Sequence, residues 1–280
     1  VNRLETHFAE LRRQQKKAAI YFITAGDPTL SDTLDIMRAL ADNGADCIEL
    51  GVPFSDPIAD GPIIQESTRR AMEQGVTLGQ IFDLVKRFRN ESALPVVLMG
   101  YLNPILRFGL EKFVIECNVS GVDGLIVADL PYEEGQELEQ LTRDHHVNLI
   151  YLLAPDIDPL RTEAIVKASS GFIYCVAQYS TTGAAASREY GVSETVKKIK
   201  EKSRLPVALG FGISSPEKAR EMSRYADGII IGSWLIKELE RAQDKAERAE
   251  EFAREIQQII NSGRGASRMH FHAGAWEREY

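Results

Sequence analysis

Glu49 is a carboxylate inside an otherwise apolar run, Cys47-Ile48-Glu49-Leu50-Gly51. Burying an ionised carboxylate there is costly unless it is paired or neutral, and desolvation at the edge of a core raises its pKa. A Glu held protonated near neutral pH is suited to giving and taking protons. The plain alternative is a Glu that bonds a loop amide or reaches solvent, because perturbed carboxylates mark function only statistically. Asp60 follows on the loop Val52-Pro53-Phe54-Ser55-Asp56-Pro57-Ile58-Ala59-Asp60-Gly61-Pro62. The prolines restrict φ and reduce the entropy lost on ordering, so the loop can hold Asp60 opposite Glu49. Two carboxylates in different surroundings can divide acid and base roles. Asp56, directly before Pro57, reads by pattern as a turn residue.

Two glycine-bearing segments offer a second kind of chemistry: Gly210-Phe211-Gly212-Ile213-Ser214-Ser215 and Gly228-Ile229-Ile230-Ile231-Gly232-Ser233. Glycine at the end of a strand lets backbone amides approach a ligand, and the helix N-terminus that follows presents partial positive charge to an anion. A single Gly-x-Gly is a weak signal of this, and each of these glycines has a turn role as its plain reading. Both segments end apolar strands late in the chain, where a barrel places phosphate.

The remaining candidates point to ordinary structure. His145 and His146 are adjacent and precede a strand, which suits a surface loop better than a metal site. His270 and His272 have no third ligand nearby in sequence, and Trp234 and Trp276 form no ladder on which bases would stack. Cys47, Cys117 and Cys175 lie far apart without CxxC spacing and are expected to be buried thiols, as in a cytoplasmic protein. The 33 Lys and Arg against 41 Asp and Glu leave a formal charge of −8, which disfavours nucleic acid or an anionic membrane as partner. No apolar run approaches the ~20 residues of a membrane span, and the N-terminal residues carry no segment of signal-peptide type.

The elements that must position these groups follow from periodicity. Eight short runs are apolar without alternation: Ala18–Thr24, Cys47–Gly51, Val96–Gly100, Leu125–Ala128, Leu149–Ala154, Phe172–Val176, Val207–Gly210 and Gly228–Gly232. Parallel strands covered on both faces have this character. Between them the period becomes helical. Leu34, Met37 and Ala41 share a face that stops at Asn43-Gly44, and Ile81, Leu84, Val85 and Phe88 share another before Pro95. Leu4, Phe8 and Leu11 mark a helix ahead of the first strand, suited to closing the bottom of a barrel. Strands and helices in alternation, with nearly obligatory right-handed crossovers, predict an α/β fold, a (β/α)8 TIM barrel with an extra N-terminal helix, over an open doubly wound sheet. The barrel is expected to fill residues 1–261 as a single catalytic domain. Residues 262–280 lack any period and are expected to be an irregular C-terminal tail, poorly ordered or added to the native protein. Chemistry belongs where strands run into the following loops, and two such loops are long: Val52 to Pro62 and Ala177 to Tyr190.

Three motifs are similar to the α subunit family of tryptophan synthase: Phe22-Ile23-Thr24-Ala25-Gly26-Asp27-Pro28, the Glu49–Pro62 segment, and Gly210-Phe211-Gly212-Ile213-Ser214. The similarity runs from about Arg3 to Asn261. It implies a lyase that cleaves indole-3-glycerol phosphate to indole and glyceraldehyde 3-phosphate by a retro-aldol reaction, with no metal or cofactor in this subunit. By that resemblance Glu49 moves protons at the indole C3 and the glycerol hydroxyl, Asp60 stabilises the positive indolenine through its N–H, and Tyr174 lies near the glycerol chain. Phe22, Ile64, Met99, Ile126 and Leu152 line the indole pocket, and Thr182, Gly183, Phe211, Gly212, Gly232 and Ser233 hold the phosphate end. Asp56, Pro57, Tyr101, Asn103, Pro104 and Pro131 match the surface that meets a β subunit, which bears pyridoxal phosphate and receives the indole in an α2β2 assembly in the cytoplasm.

One segment departs from the family. Where it usually reads Ser-Arg-x-Gly-Val-Thr-Gly, this chain has Ala177-Gln178-Tyr179-Ser180-Thr181-Thr182-Gly183. Gln178 in place of arginine and Ser180 in place of glycine remove charge and backbone freedom from a loop expected to close over substrate. That substitution motivates a rival reading as a weakly active α-like subunit that mainly activates the β subunit. Two further rivals keep catalysis: a stand-alone indole producer and a phosphate-binding barrel isomerase.

Overall fold

Strands without polar alternation need cover on both faces, and the fold supplies it by curling one parallel sheet around its own side chains and surrounding it with helices. The computed structural model describes residues 2–155, 157–176 and 189–261. Its strands are β1 (Ala18–Thr24), β2 (Cys47–Gly51), β3 (Val96–Gly100), β4 (Gly124–Val127), β5 (Asn148–Leu149), β6 (Leu152–Leu153), β7 (Ile173–Val176), β8 (Val207–Gly210) and β9 (Gly228–Ile231). Its helices are α1 (Arg3–Gln14), α2 (Leu30–Asp42), α3 (Pro62–Glu73), α4 (Leu78–Arg89), α5 (Leu102–Phe108), α6 (Leu110–Ser120), α7 (Gln136–Asp144), α8 (Pro159–Ala168), α9 (Glu189–Lys202), α10 (Pro216–Tyr225), α11 (Ser233–Arg241) and α12 (Lys245–Asn261).

The strand order is β5-β4-β3-β2-β1-β9-β8-β7-β6, and every recorded pairing is parallel. The two ends of that order, β5 and β6, are consecutive pieces of one run separated by Ile150 and Tyr151, so the sheet closes on itself. The expected TIM barrel is present, with one correction: the Leu149–Ala154 run is two short strands because it changes partner midway. Its first half pairs with β4 and its second with β7.

Alternate residues divide the core in two. Ala18, Ile20 and Phe22 of β1, Cys47 of β2 and Val97 and Met99 of β3 belong to the interior cluster, whereas Ala19, Tyr21 and Ile23 face the helices. The extra helix plugs the bottom as expected. Asn2 caps α1 by accepting from the Leu4 amide at 2.9 Å, and Leu4, Phe8 and Leu11 point into the interior cluster, with Phe8 against Phe172 at 5.7 Å. Truncating a buried ring such as Phe8 costs roughly 3–5 kcal/mol. The helix predicted to stop at Asn43-Gly44 does so, and Gly44 takes φ +99°, where a side chain would be strained. Cys47, Cys117 and Cys175 are buried free thiols.

At the opposite end, β2, β3 and β9 are each followed by two helices, of which the first (α3, α5 and α11) borders the barrel mouth. No helix among the described residues is long and apolar enough to cross a membrane.

Candidate active site

Glu49 is inward-facing because its neighbours in register alternate that way. It is flanked by Phe22 on β1 and Val97 on β3, and Cys47 precedes it on the same face. Its side chain is buried, with the residue 1% exposed, and its Oε2 has no hydrogen-bond partner among the described residues. Desolvation, with the nearby Asp60 carboxylate adding to it, pushes the pKa from 4.5 up to about 8. The group is therefore mostly protonated at neutral pH and can donate.

Asp60 is held by the backbone of its own loop. Its amide donates to the Pro57 carbonyl at 3.0 Å, and the Gln65 side-chain amide of α3 donates to its carbonyl at 2.9 Å. Burial raises its pKa from 3.8 to about 6, less than for Glu49, because Asp60 is only half-buried and the Tyr101 hydroxyl donates to it and favours the charged form. At pH 7 the pair is one neutral acid and one carboxylate, the division that two carboxylates need for separate roles.

The side chains expected to line an indole pocket come together at the mouth of the barrel. Phe22, Met99, Ile126 and Tyr174 are buried in the interior cluster, and Ile64, Leu152 and Phe211 pack on it from the mouth. Tyr174 lies under Phe211, with centroids 6.0 Å apart at 60°. Two glycines that the sequence suggested for ligand approach have a packing reason here. A Cβ at Gly210 would lie 2.3 Å from the Tyr174 hydroxyl, and one at Gly232 would lie 3.2 Å from Phe22 Cβ, so bare backbone at these strand ends makes room for the two rings.

At the proposed phosphate end, Phe211 and Gly212 both take positive φ, +69° and +77°. The two helices that follow differ. Ser215 caps α10 by accepting from the Lys218 amide at 3.3 Å, whereas α11 begins at Ser233 after Gly232 with no side-chain cap. The first-turn amides of α11 are thus the better anion donors. Thr182 and Gly183, with Gln178 and Ser180, lie outside the described residues, as do residues 262–280 with His270, His272 and Trp276.

Of the residues matched to a partner surface, Asp56, Asn103 and Pro131 are exposed and Pro57 and Pro104 half-buried. A groove lined by Phe54, Asp56, Asn103, Pro104 and Arg107 runs along this side, and Ile58 beside it is 81% exposed. Tyr101 departs from that expectation. It is 4% exposed, its ring packs on Phe54 at 5.4 Å, and its hydroxyl accepts from the Ala59 amide at 3.1 Å while donating to Asp60. It belongs to the inside of the site rather than to its outer face.

Ala128 and Val176 were not anticipated, yet both pack into the interior cluster at its mouth. Continuing the inward alternation by two residues, from Met99 to Tyr101, Ile126 to Ala128 and Tyr174 to Val176, finds both of them and Tyr101. His145 and His146 occupy a surface turn, Trp234 is buried against Phe252 at 4.8 Å, and no cluster of metal-ligating side chains occurs among the described residues.

Comparison with known proteins agrees with this geometry. The family model described as "Tryptophan synthase alpha chain" matches residues 8–263. The chain is 43% identical over 266 residues to the tryptophan synthase alpha chain of Geobacter sulfurreducens, covering 95% of this chain and 99% of that one. It is 40% identical over 263 residues to that of Caldanaerobacter subterraneus, covering 93% and 100%. The crystal structure of tryptophan synthase subunit alpha from Legionella pneumophila superimposes with a TM-score of 0.87 at 33% identity, over 94% of this chain and 99% of that one. With the barrel, the buried carboxylate and these relatives in agreement, the chain belongs to the tryptophan synthase alpha chain family.

Proposed function

We propose that this protein cleaves indole-3-glycerol phosphate to indole and glyceraldehyde 3-phosphate. The observation that carries the reading is Glu49: a buried, largely protonated carboxyl with a free oxygen, walled by apolar side chains and set beside a second carboxylate of lower pKa. Protonated Glu49 donates to the indole C3, and the positive charge that develops on the ring nitrogen is offset by ionised Asp60. The Glu49 carboxylate then takes the proton from the glycerol hydroxyl as the carbon–carbon bond breaks. Its electron pair returns to the ring to give neutral indole, the hydroxyl carbon becomes the aldehyde, and Glu49 ends protonated as it began.

Phe22, Ile64, Met99, Ile126 and Leu152 receive the indole, Tyr174 stands beside the glycerol chain, and Phe211, Gly212, Gly232 and Ser233 meet the phosphate. Thr182 and Gly183 are assigned to the same end by resemblance. The groove beside Asp56, Asn103 and Pro104, with exposed Ile58, suits a β subunit that bears pyridoxal phosphate and takes up the indole in a cytoplasmic α2β2 assembly. The test is to supply indole-3-glycerol phosphate to the isolated chain, then to the chain with its β subunit, and to measure glyceraldehyde 3-phosphate. Stoichiometric indole and aldehyde are expected, faster with the partner. Release of neither product under both conditions would refute the assignment.

A further inference from the structure

We infer that Arg70 is a positioning residue that clasps the two helices bordering the barrel mouth, fixing the distance between the carboxylate end and the phosphate end of the site. This rests on the reaction proposed above. The sequence motif that ends β1 contains Asp27, to which no role in proton transfer or ligand contact falls. In the structure its carboxylate is 12% exposed and accepts three charge-assisted or short bonds: from Arg70 Nε at 2.7 Å, from Arg70 Nη2 at 2.7 Å and from Ser67 Oγ at 2.5 Å. Ser67 and Arg70 are three residues apart on α3, so both face the β1 turn. The two parallel Arg bonds form a fork that fixes orientation as well as distance.

The same guanidinium has a second arm. Arg70 Nη1 donates to Glu240 Oε1 at 3.0 Å, and Glu240 is on α11. α3 and α11 pack on each other and on β1, and Arg70, Asp27, Glu240, Thr24 and Ile236 border one cavity between them. Each helix carries a working end of the site at its N-terminus. α3 begins just after Asp60 and holds the Asp60 carbonyl through Gln65, whereas α11 begins at Ser233 with its uncapped amides. Arg70 and Glu240 lie about two turns, on the order of 12 Å, along these helices. A clasp there sets the angle at which each helix presents its first turn, and Asp27 references both to the strand that carries Phe22.

The consequence is specific. A ligand that spans both ends depends on their spacing, whereas a ligand that touches one end does not. Misplacement of about 1 Å by a residue outside the chemistry can cost on the order of 10²-fold in rate. Loss of the clasp is expected to lower kcat for cleavage by about tenfold or more in protein that remains folded.

The experiment compares wild type with Arg70→Met, Arg70→Lys and Glu240→Gln, using circular dichroism to confirm that each is folded at the assay temperature. Binding is measured for indole-3-propanol phosphate, which spans the site, and for glycerol 3-phosphate, which reaches one end. Arg70→Met is expected to weaken the spanning ligand at least fivefold more than glycerol 3-phosphate and to lower kcat. Arg70→Lys, which keeps the charge without the fork, is expected to recover part of both losses. Glu240→Gln, which weakens the arm to α11 and leaves the Asp27 fork in place, should shift the affinity ratio in the same direction and lower kcat, each by less than Arg70→Met. Equal weakening of the two ligands, or unaltered kcat and affinity in folded Arg70→Met, would overturn the inference. If Arg70→Met does not fold, Arg70→Lys and Asp27→Asn are read by the same ratio of affinities. Wild-type protein that makes no indole would refute the reaction instead, and the ligand comparison would still report on the clasp.

Discussion

Tyr174 and Gly210 approach across neighbouring strands so closely that a Cβ on Gly210 would stand 2.3 Å from the Tyr174 hydroxyl and 2.5 Å from two of its ring carbons. The ring is buried with the residue 3% exposed, so it has nowhere to retreat except toward Phe211 and the pocket. Gly210→Ala is expected to destabilise the fold by ~1–3 kcal/mol through overpacking and to push the ring into the space meant for substrate. Urea unfolding reports the first effect, and a rise in the Michaelis constant for indole-3-glycerol phosphate the second. An unchanged Michaelis constant would remove Tyr174 from the substrate's surroundings.

Tyr101 tunes Asp60 by donating to its charged form, so Tyr101→Phe is expected to raise the Asp60 pKa above its present value of about 6. The acidic limb of the rate profile should shift to higher pH, toward the Glu49 limb. A limb that stays in place would mean that Asp60 owes its pKa to other contacts.

Glu49 should make stability depend on pH. Folding raises its pKa from 4.5 to about 8, so the protonated form is the one the fold favours. The stability this group contributes is complete below pH 4.5 and is lost progressively as the pH rises toward about 8. The full displacement corresponds to on the order of 4–5 kcal/mol. Glu49→Gln should abolish turnover and flatten this dependence, making the variant the more stable of the two above pH 7. Denaturation midpoints measured from pH 5 to pH 8 that run parallel for the two proteins would contradict the buried, protonated carboxyl.

Ser233 opens α11 at its uncapped end, where an anion is stabilised by amides and dipole together. Ser233→Asp places a negative charge there and is expected to raise the Michaelis constant at least tenfold by repulsion of phosphate, with a smaller effect on kcat. An unaltered Michaelis constant would move the phosphate elsewhere.

Much of the barrel was legible because its signals are local. Unbroken apolar runs marked the strands, and Leu4, Phe8 and Leu11 marked the plug beneath them. Glu49 stood out because a carboxylate in such a run is costly. The rest depended on contacts between distant segments. The partner change within Leu149–Ala154 is a property of barrel closure, which no residue in that run encodes. Tyr101 was assigned to an outer surface by resemblance, and only the return of the Val52–Pro62 loop over β3 encloses it. The fork between Asp27 and Arg70 joins the turn after β1 to a helix some forty residues on, and an arginine on an amphipathic helix gives no hint of it.

The division of labour between the two carboxylates is tested most directly by the pH dependence of kcat/KM for indole formation. Cleavage needs Asp60 ionised and Glu49 protonated, so a bell is expected with limbs at the apparent values of the pair, near 6 and near 8. Rates that stay level or climb through pH 9 would show that protonated Glu49 is not the acid and would contradict the mechanism.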